Sequence, residues 1–170
     1  MPHPIPRPPA DEKTAEMQRI ANTLFPMAQE QVRKRGELAL MGAVMEADGS
    51  VVLVDSPAPP GTETRDALPL LAEKVRRHAE ERGIRAAGFC FRVRLTHPRT
   101  GKPTEAICAD LEHAAGRTLR LLMPFHKRLL GGMEFEPLFG TPGEHRVFTG
   151  SAEGGSPFGG PAPESVPAGS

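Results

Sequence analysis

The sequence predicts an α+β domain built on an antiparallel sheet of about five strands, in the order α-ββ-α-βββ. Three observations lead there. Apolar residues recur at helical spacing over Ile20–Val32 and again over Leu68–Ala79, giving each segment one buried stripe. Period-2 alternation marks Ala87–Thr96, Glu105–His113 and Arg117–Phe125 as strands. Asp48-Gly49 and Ala114-Ala115-Gly116 interrupt apolar runs with residues that suit hairpin turns.

The first helix is expected to begin near Asp11. Pro26 lacks an amide and crowds the preceding turn, so a kink or break is predicted near Phe25. Arg33, Lys34 and Arg35 suit the negative end of the helix dipole, and Gly36 supplies the stop. That placement accounts for the basic cluster without nucleic acid. The following hairpin turns at Asp48-Gly49, read as a two-residue type I′ loop that sets Met45 opposite Val52 and Val44 opposite Leu53. Both of its faces are apolar, so it should be covered on both sides.

A second helix is predicted over Ala67–Arg82, with Asp66 as its cap and Pro69 in the first turn, where amides lack intrahelical acceptors. In the next strand Phe89, Phe91, Val93 and Leu95 share one face, and Cys90, Arg92 and Arg94 the other. Ile107, Ala109 and Leu111, then Leu119, Leu121, Met123 and Phe125, form the apolar faces of the last two strands. Pro124 argues for a bulge or strand end. The remainder is read as a loop or short strand that drapes Phe135, Phe139 and Phe148 over the core. The element order also occurs in profilin-like, roadblock-like and PAS-like folds, an analogy of topology that spans unrelated functions.

Composition separates this domain, residues 11–148, from two disordered tails. Residues 1–10 contain five prolines, and residues 149–170 are rich in Gly, Pro and Ser, with too little apolar surface to offset ordering entropy. The chain has 21 basic and 21 acidic residues, but Arg65–Arg128 holds 14 Lys/Arg against 7 Asp/Glu. That basic middle suits an anionic partner. No secretory leader is legible at the start, and no run approaches the ~20 apolar residues of a membrane span. The expected compartment is the cytoplasm.

Phe25-Pro26-Met27-Ala28, Gly36-Glu37, Gly42-Ala43 and Asp48-Gly49, with Phe91-Arg92-Val93-Arg94-Leu95-Thr96, Ala106-Ile107, Leu111-Glu112-His113, Gly116 and Pro124-Phe125, resemble a family of bacterial proteins of unknown function. The resemblance covers roughly residues 20–126. In the family an acidic residue is usual where Arg92 stands and a basic one where Asp110 stands, so this chain carries the pair reversed. The likeness implies the small α-ββ-α-βββ domain and no activity.

No catalytic signature is legible. Thr100-Gly101-Lys102-Pro103-Thr104 imitates the end of a phosphate loop, but Thr96 stands where its first glycine belongs, and a hairpin turn explains it better. Cys90 and Cys108 are expected on one polar face of neighbouring strands. There is no CxxC or HExxH spacing for a metal, so no metal site and no cofactor are predicted. Nucleic-acid binding lacks a recognised motif and Tyr/Trp stacking groups.

The best reading is a non-catalytic protein-binding module: an adaptor, a cognate inhibitor or a small chaperone. Its alternatives are a small-ligand sensor and an enzyme whose site converges only in space. Self-association is left open. The predicted docking face is the polar side of the three-stranded sheet. There Asp110 should lie opposite Arg120, with Arg92 on its other flank and Arg94 and Glu112 nearby, provided Val93 faces Ala109. Arginine's planar fork suits an acidic partner.

Overall fold

Residues 11–148 are described by the computed structural model, and both predicted tails lie outside them. Two helices and an antiparallel sheet of seven strands form the fold. Helix α1 (Glu12–Arg35) starts at Asp11, whose side chain accepts from the Thr14 N–H, and stops at Gly36 in the left-handed region at φ 71°. It runs unbroken through Pro26. The proline is exposed on the solvent side, and the carbonyl it deprives belongs to exposed Asn22, which water can satisfy.

Strands β1 (Met41–Glu46) and β2 (Val51–Asp55) pair one residue out of the predicted register, Met45 with Val51 and Val44 with Val52. The turn has three residues, closed by Glu46 N–H to Ser50 O and by Gly49 N–H to Glu46 O, with Gly49 at φ 91°. The Asp48 carboxylate takes the Ser50 N–H and stabilises the longer loop. Helix α2 (Thr64–Arg82) begins ahead of the predicted Ala67 and is capped by the backbone of Glu63 rather than by Asp66. Pro69 therefore lies in its second turn, on the exposed side.

Strands β3 (Ile84–Thr96), β4 (Pro103–His113) and β5 (Thr118–Lys127) form the centre, flanked by β6 (Met133–Phe135) and β7 (Phe139–Thr141), which both pair with β5. The lateral order is β2-β1-β3-β4-β5-β6. Pro124 neither ends nor bulges the β4–β5 ladder, because at its pairing with Ala106 the missing amide would point away from β4. It points toward the outer strands instead. Its carbonyl still accepts from Glu136 N–H, and just beyond that bond β6 ends, to be replaced by β7.

The two faces of the sheet bury separate cores. On one, Met17, Ile20, Leu24 and Ala28 of α1 pack against Ala43, Met45, Cys90, Ile107, Ala109 and Leu111. On the other, Leu68, Leu71 and Val75 of α2, with Val147 from the strap that follows β7 (residues 142–148), cover Val44, Phe89, Phe91, Ala106 and Cys108. Gly88 is where α1 comes closest: an added Cβ would lie 2.7 Å from Ile20 Cγ2 and 2.8 Å from Leu111 Cδ2.

Leu111, 1% exposed, is thus central to its core, whereas Val93 is only partly buried at a margin. Leu111→Ala should destabilise by ~3 kcal/mol, Val93→Ala by ~1 kcal/mol and the surface change Arg77→Ala by under ~0.5 kcal/mol, in denaturant titrations followed by circular dichroism. Equal losses at all three sites would contradict the two-core arrangement.

Candidate functional site

The decisive pairing is β3 with β4. His97 and Lys102 close a turn over four residues, His97 N–H to Lys102 O at 2.8 Å. An even loop joins an odd position of one strand to an even position of the other, so Phe91 faces Cys108 and Arg92 faces Ile107. Val93 consequently pairs with Ala106, not Ala109. This shift of three residues, being odd, inverts the faces of every side chain on β4 and β5 relative to β3. His97 itself holds the turn. Its Nδ1 accepts from Arg99 N–H at 3.0 Å, and its Nε2 donates to Glu136 Oε1 at 2.7 Å.

The predicted docking face is therefore split. Asp110 does lie opposite Arg120, but Arg92 and Arg94 are on the other side of the sheet. Cys90 and Cys108 are likewise on opposite faces, both buried, and share no site. Burial pushes the Cys90 thiol up to about 12 and raises that of Cys108 too, so neither is a thiolate near neutrality. Among the described residues no group of three His, Cys, Asp or Glu gathers at metal-binding distance. No helix there is long and apolar enough to cross a membrane.

Asp110 and Glu112, each 2% exposed, form one half of the split face. Asp110 does sit between two guanidinium groups, but the second belongs to Arg146. Arg120 donates Nε and Nη2 to the two Asp110 oxygens at 3.0 and 2.8 Å, and Arg146 adds Nε and Nη2 at 3.2 and 2.9 Å. The Asp110 hydrogen bonds push Arg120 further up from its already cationic range. Glu112 accepts the backbone N–H groups of Arg146, Val147 and Phe148 at 2.8, 2.8 and 2.9 Å. Arg76 of α2 donates to Arg146 O at 2.6 Å. This cluster is an anchor for the strap: its charges are turned inward and spent on one another.

The other half lies where α1 ends. Arg92 donates to Gly36 O at 3.0 Å and to Glu105 Oε1 at 2.6 Å, and its guanidinium lies 5.9 Å from the Phe125 ring centre. Arg94, 73% exposed along its side chain, reaches Glu105 Oε2 only at 3.4 Å. With Arg35, Glu37 and Lys127 they line an open groove of about 620 Å³, to which Phe125 and Met133 also contribute. Four cations face two carboxylates there. Next to it, the β5–β6 hairpin turns over three residues between Arg128 and Gly132, and its tip presents Leu129 and Leu130 at 101% and 99% exposure. Sequence reading missed this tip. The LLGG stretch after Lys127-Arg128 carried the signal, as a hairpin turn with apolar residues where solvent was due.

Glu16 of α1 is a buried acid outside both halves, receiving His113 Nε2 at 2.9 Å and Arg85 Nη1 at 2.6 Å. His113 Nδ1 accepts from Ala115 N–H, so its proton rests on Nε2 and completes both bonds. The His113 hydrogen bond first, then Arg85, hold the Glu16 carboxyl below its ordinary range, and His97 does the same for Glu136. A carboxyl depressed in the folded state stabilises the fold fully above the unfolded value of about 4.5, and that contribution fades as pH falls through the folded value. Unfolding free energy should hence decline below about pH 5, and Glu16→Gln should flatten that decline. An identical acid limb in the variant would rule Glu16 out.

No family model, curated protein or solved structure matches this chain.

Proposed function

We propose that the domain is a non-catalytic protein-binding module that takes an acidic partner at the groove beside the end of α1. One observation supports this above others: three weakly engaged cations, Arg35, Arg94 and Lys127, surround an open groove whose neighbour is a tip of two fully exposed leucines. Among the described residues no carboxylate lies within ion-pair distance of Arg35 or Lys127. Exposed charge of one sign steers an acidic surface and fixes its orientation, while apolar residues exclude water from the contact. The small-ligand sensor has less support. Its cavity would lie between helix and sheet, where Gly88 leaves no room for even one more carbon beside Ile20 and Leu111.

The experiment is capture from native lysate with Arg94→Glu/Lys127→Glu and, separately, Leu129→Ser/Leu130→Ser, each verified as folded by circular dichroism. An acidic protein held by the parent chain should be lost with either variant and released by raised salt. Undiminished capture by both folded variants would reject the groove.

A further inference from the structure

The two ends of the sheet are finished differently. At one end β5 is covered by β6, β7 and the strap. At the other, β2 is an open edge. Its Val51–Val54 segment contains no proline, charge or bulge, so the guards this edge carries are its short length, Asp55 at its end and the Lys74 ammonium on the Asp55 carbonyl. Val52 is 40% exposed and Leu53 45%. Leu70, 48% exposed, lies on α2 one turn before Lys74, whose Nζ reaches Asp55 O at 2.9 Å. Val52 and Leu70 are thus exposed on the α2 side of this edge and Leu53 on the α1 side.

The backbone says which residues of β2 are available. Glu46 donates to Ser50 O, so this is a hydrogen-bonded pair, and the alternation of an antiparallel ladder makes Val52 and Val54 the next ones. Val51, Leu53 and Asp55 therefore turn their N–H and C=O groups away from β1. The Lys74 bond to Asp55 O independently marks that direction.

We propose that a second copy of this chain pairs with β2 across a two-fold axis through Leu53. An antiparallel strand centred there joins outward-facing residues to one another: Leu53 to Leu53 of the second copy, and Val51 to Asp55 in both directions. Side chains agree with this register. The two Leu53 side chains meet on the α1 face, and Val52 meets Val54 of the other copy on the α2 face, so both cores continue across the joint. No like charges are brought opposite. A two-fold interface requires this self-complementarity, and a central apolar residue on the axis satisfies it. Lys74 competes for the Asp55 carbonyl and must release it on pairing. The proposal uses a surface separate from the basic groove and does not depend on it.

Light scattering after size exclusion, over concentrations up to about 0.5 mM, tests it on the full chain. The parent protein should approach twice 18.3 kDa. Leu53→Lys sets two ammonium groups against each other on the axis and should weaken association about a hundredfold with an unchanged circular dichroism spectrum. Leu53→Thr, a milder change that suits a strand, should weaken it less. Lys74→Ala should tighten it, since the competitor is gone. A parent chain that stays at 18.3 kDa throughout overturns the proposal, as does a Leu53→Lys protein that still dimerises. An unchanged constant in Lys74→Ala would exclude this register. Loss of dimer with groove binding intact separates this surface from the other.

Discussion

Glu112→Ala should reduce the unfolding free energy by about 3–4 kcal/mol, the largest single effect expected in this domain. The carboxylate is 2% exposed and accepts the amides of Arg146, Val147 and Phe148. Bonds from amides to a charged acceptor in a dry setting are stronger than neutral ones, and here three converge on one side chain. Removing it takes this acceptor from all three amides, which stay shielded from water or are rehydrated by lifting the strap. Lifting uncovers Val147, which is 5% exposed and packed into the α2-side core. Either route costs free energy, and the cheaper sets the limit. Glu112→Gln keeps the shape and one acceptor oxygen but turns an N–H₂ toward donors, so about half the loss is expected. The chain contains neither Trp nor Tyr, so unfolding is followed by circular dichroism. Hydrogen exchange should show faster amides at Arg146, Val147 and Phe148 while the α1 face is unchanged. A loss below about 1 kcal/mol, or acceleration spread evenly through the sheet, would refute the anchoring role.

The second large effect is at Asp110. Asp110→Ala strands two guanidinium groups, Arg120 and Arg146, whose side chains are only 26% and 22% exposed. Unpaired charge in such a place destabilises by up to 3–5 kcal/mol, but Glu144 stays within 3.4 Å of Arg120 and 3.1 Å of Arg146. About 3 kcal/mol is the expected loss. Arg146→Ala alone should lose about 1–2 kcal/mol, since Asp110 retains both bonds from Arg120. With Arg146 absent, Asp110→Ala strands one cation instead of two. The double variant should therefore lose at least ~1 kcal/mol less than the sum of the single losses. Strict additivity would mean that Arg146 and Asp110 do not act as a pair.

Both predictions concern residues read from the sequence as a surface. The residue types and one pairing were legible: Asp110 opposite Arg120 follows from the three-residue turn at Ala114, Ala115 and Gly116, where His113 N–H meets Arg117 O. Loop chemistry is local, so a glycine at positive φ with small neighbours reveals it. The first hairpin differs by one residue from the expected register because Asp48-Gly49 fits both a two-residue and a three-residue turn, and the Asp48 bond to Ser50 favours the longer one. Pro26 suggests a break and Pro69 a first-turn position, yet both lie inside helices, because the carbonyls they leave without a donor, those of Asn22 and Arg65, belong to exposed residues.

The element order, the helical stripes, the alternation within each strand and the positions of the turns are legible in the chain, since all of these are set by interactions between near neighbours. Which alternating sets share a face was settled by contacts between distant segments. That depends on the parity of the loop after His97, which is held by a bond to Glu136, 39 residues away. No local pattern encodes such a contact. Because both faces of the sheet are covered, an apolar row and a row with acids and arginines were each compatible with burial. Arg146 then arrived from beyond the last long strand to take the place assigned to Arg92. The result is two charged groups of different kinds: one closed on itself beneath the strap, the other open at the end of α1.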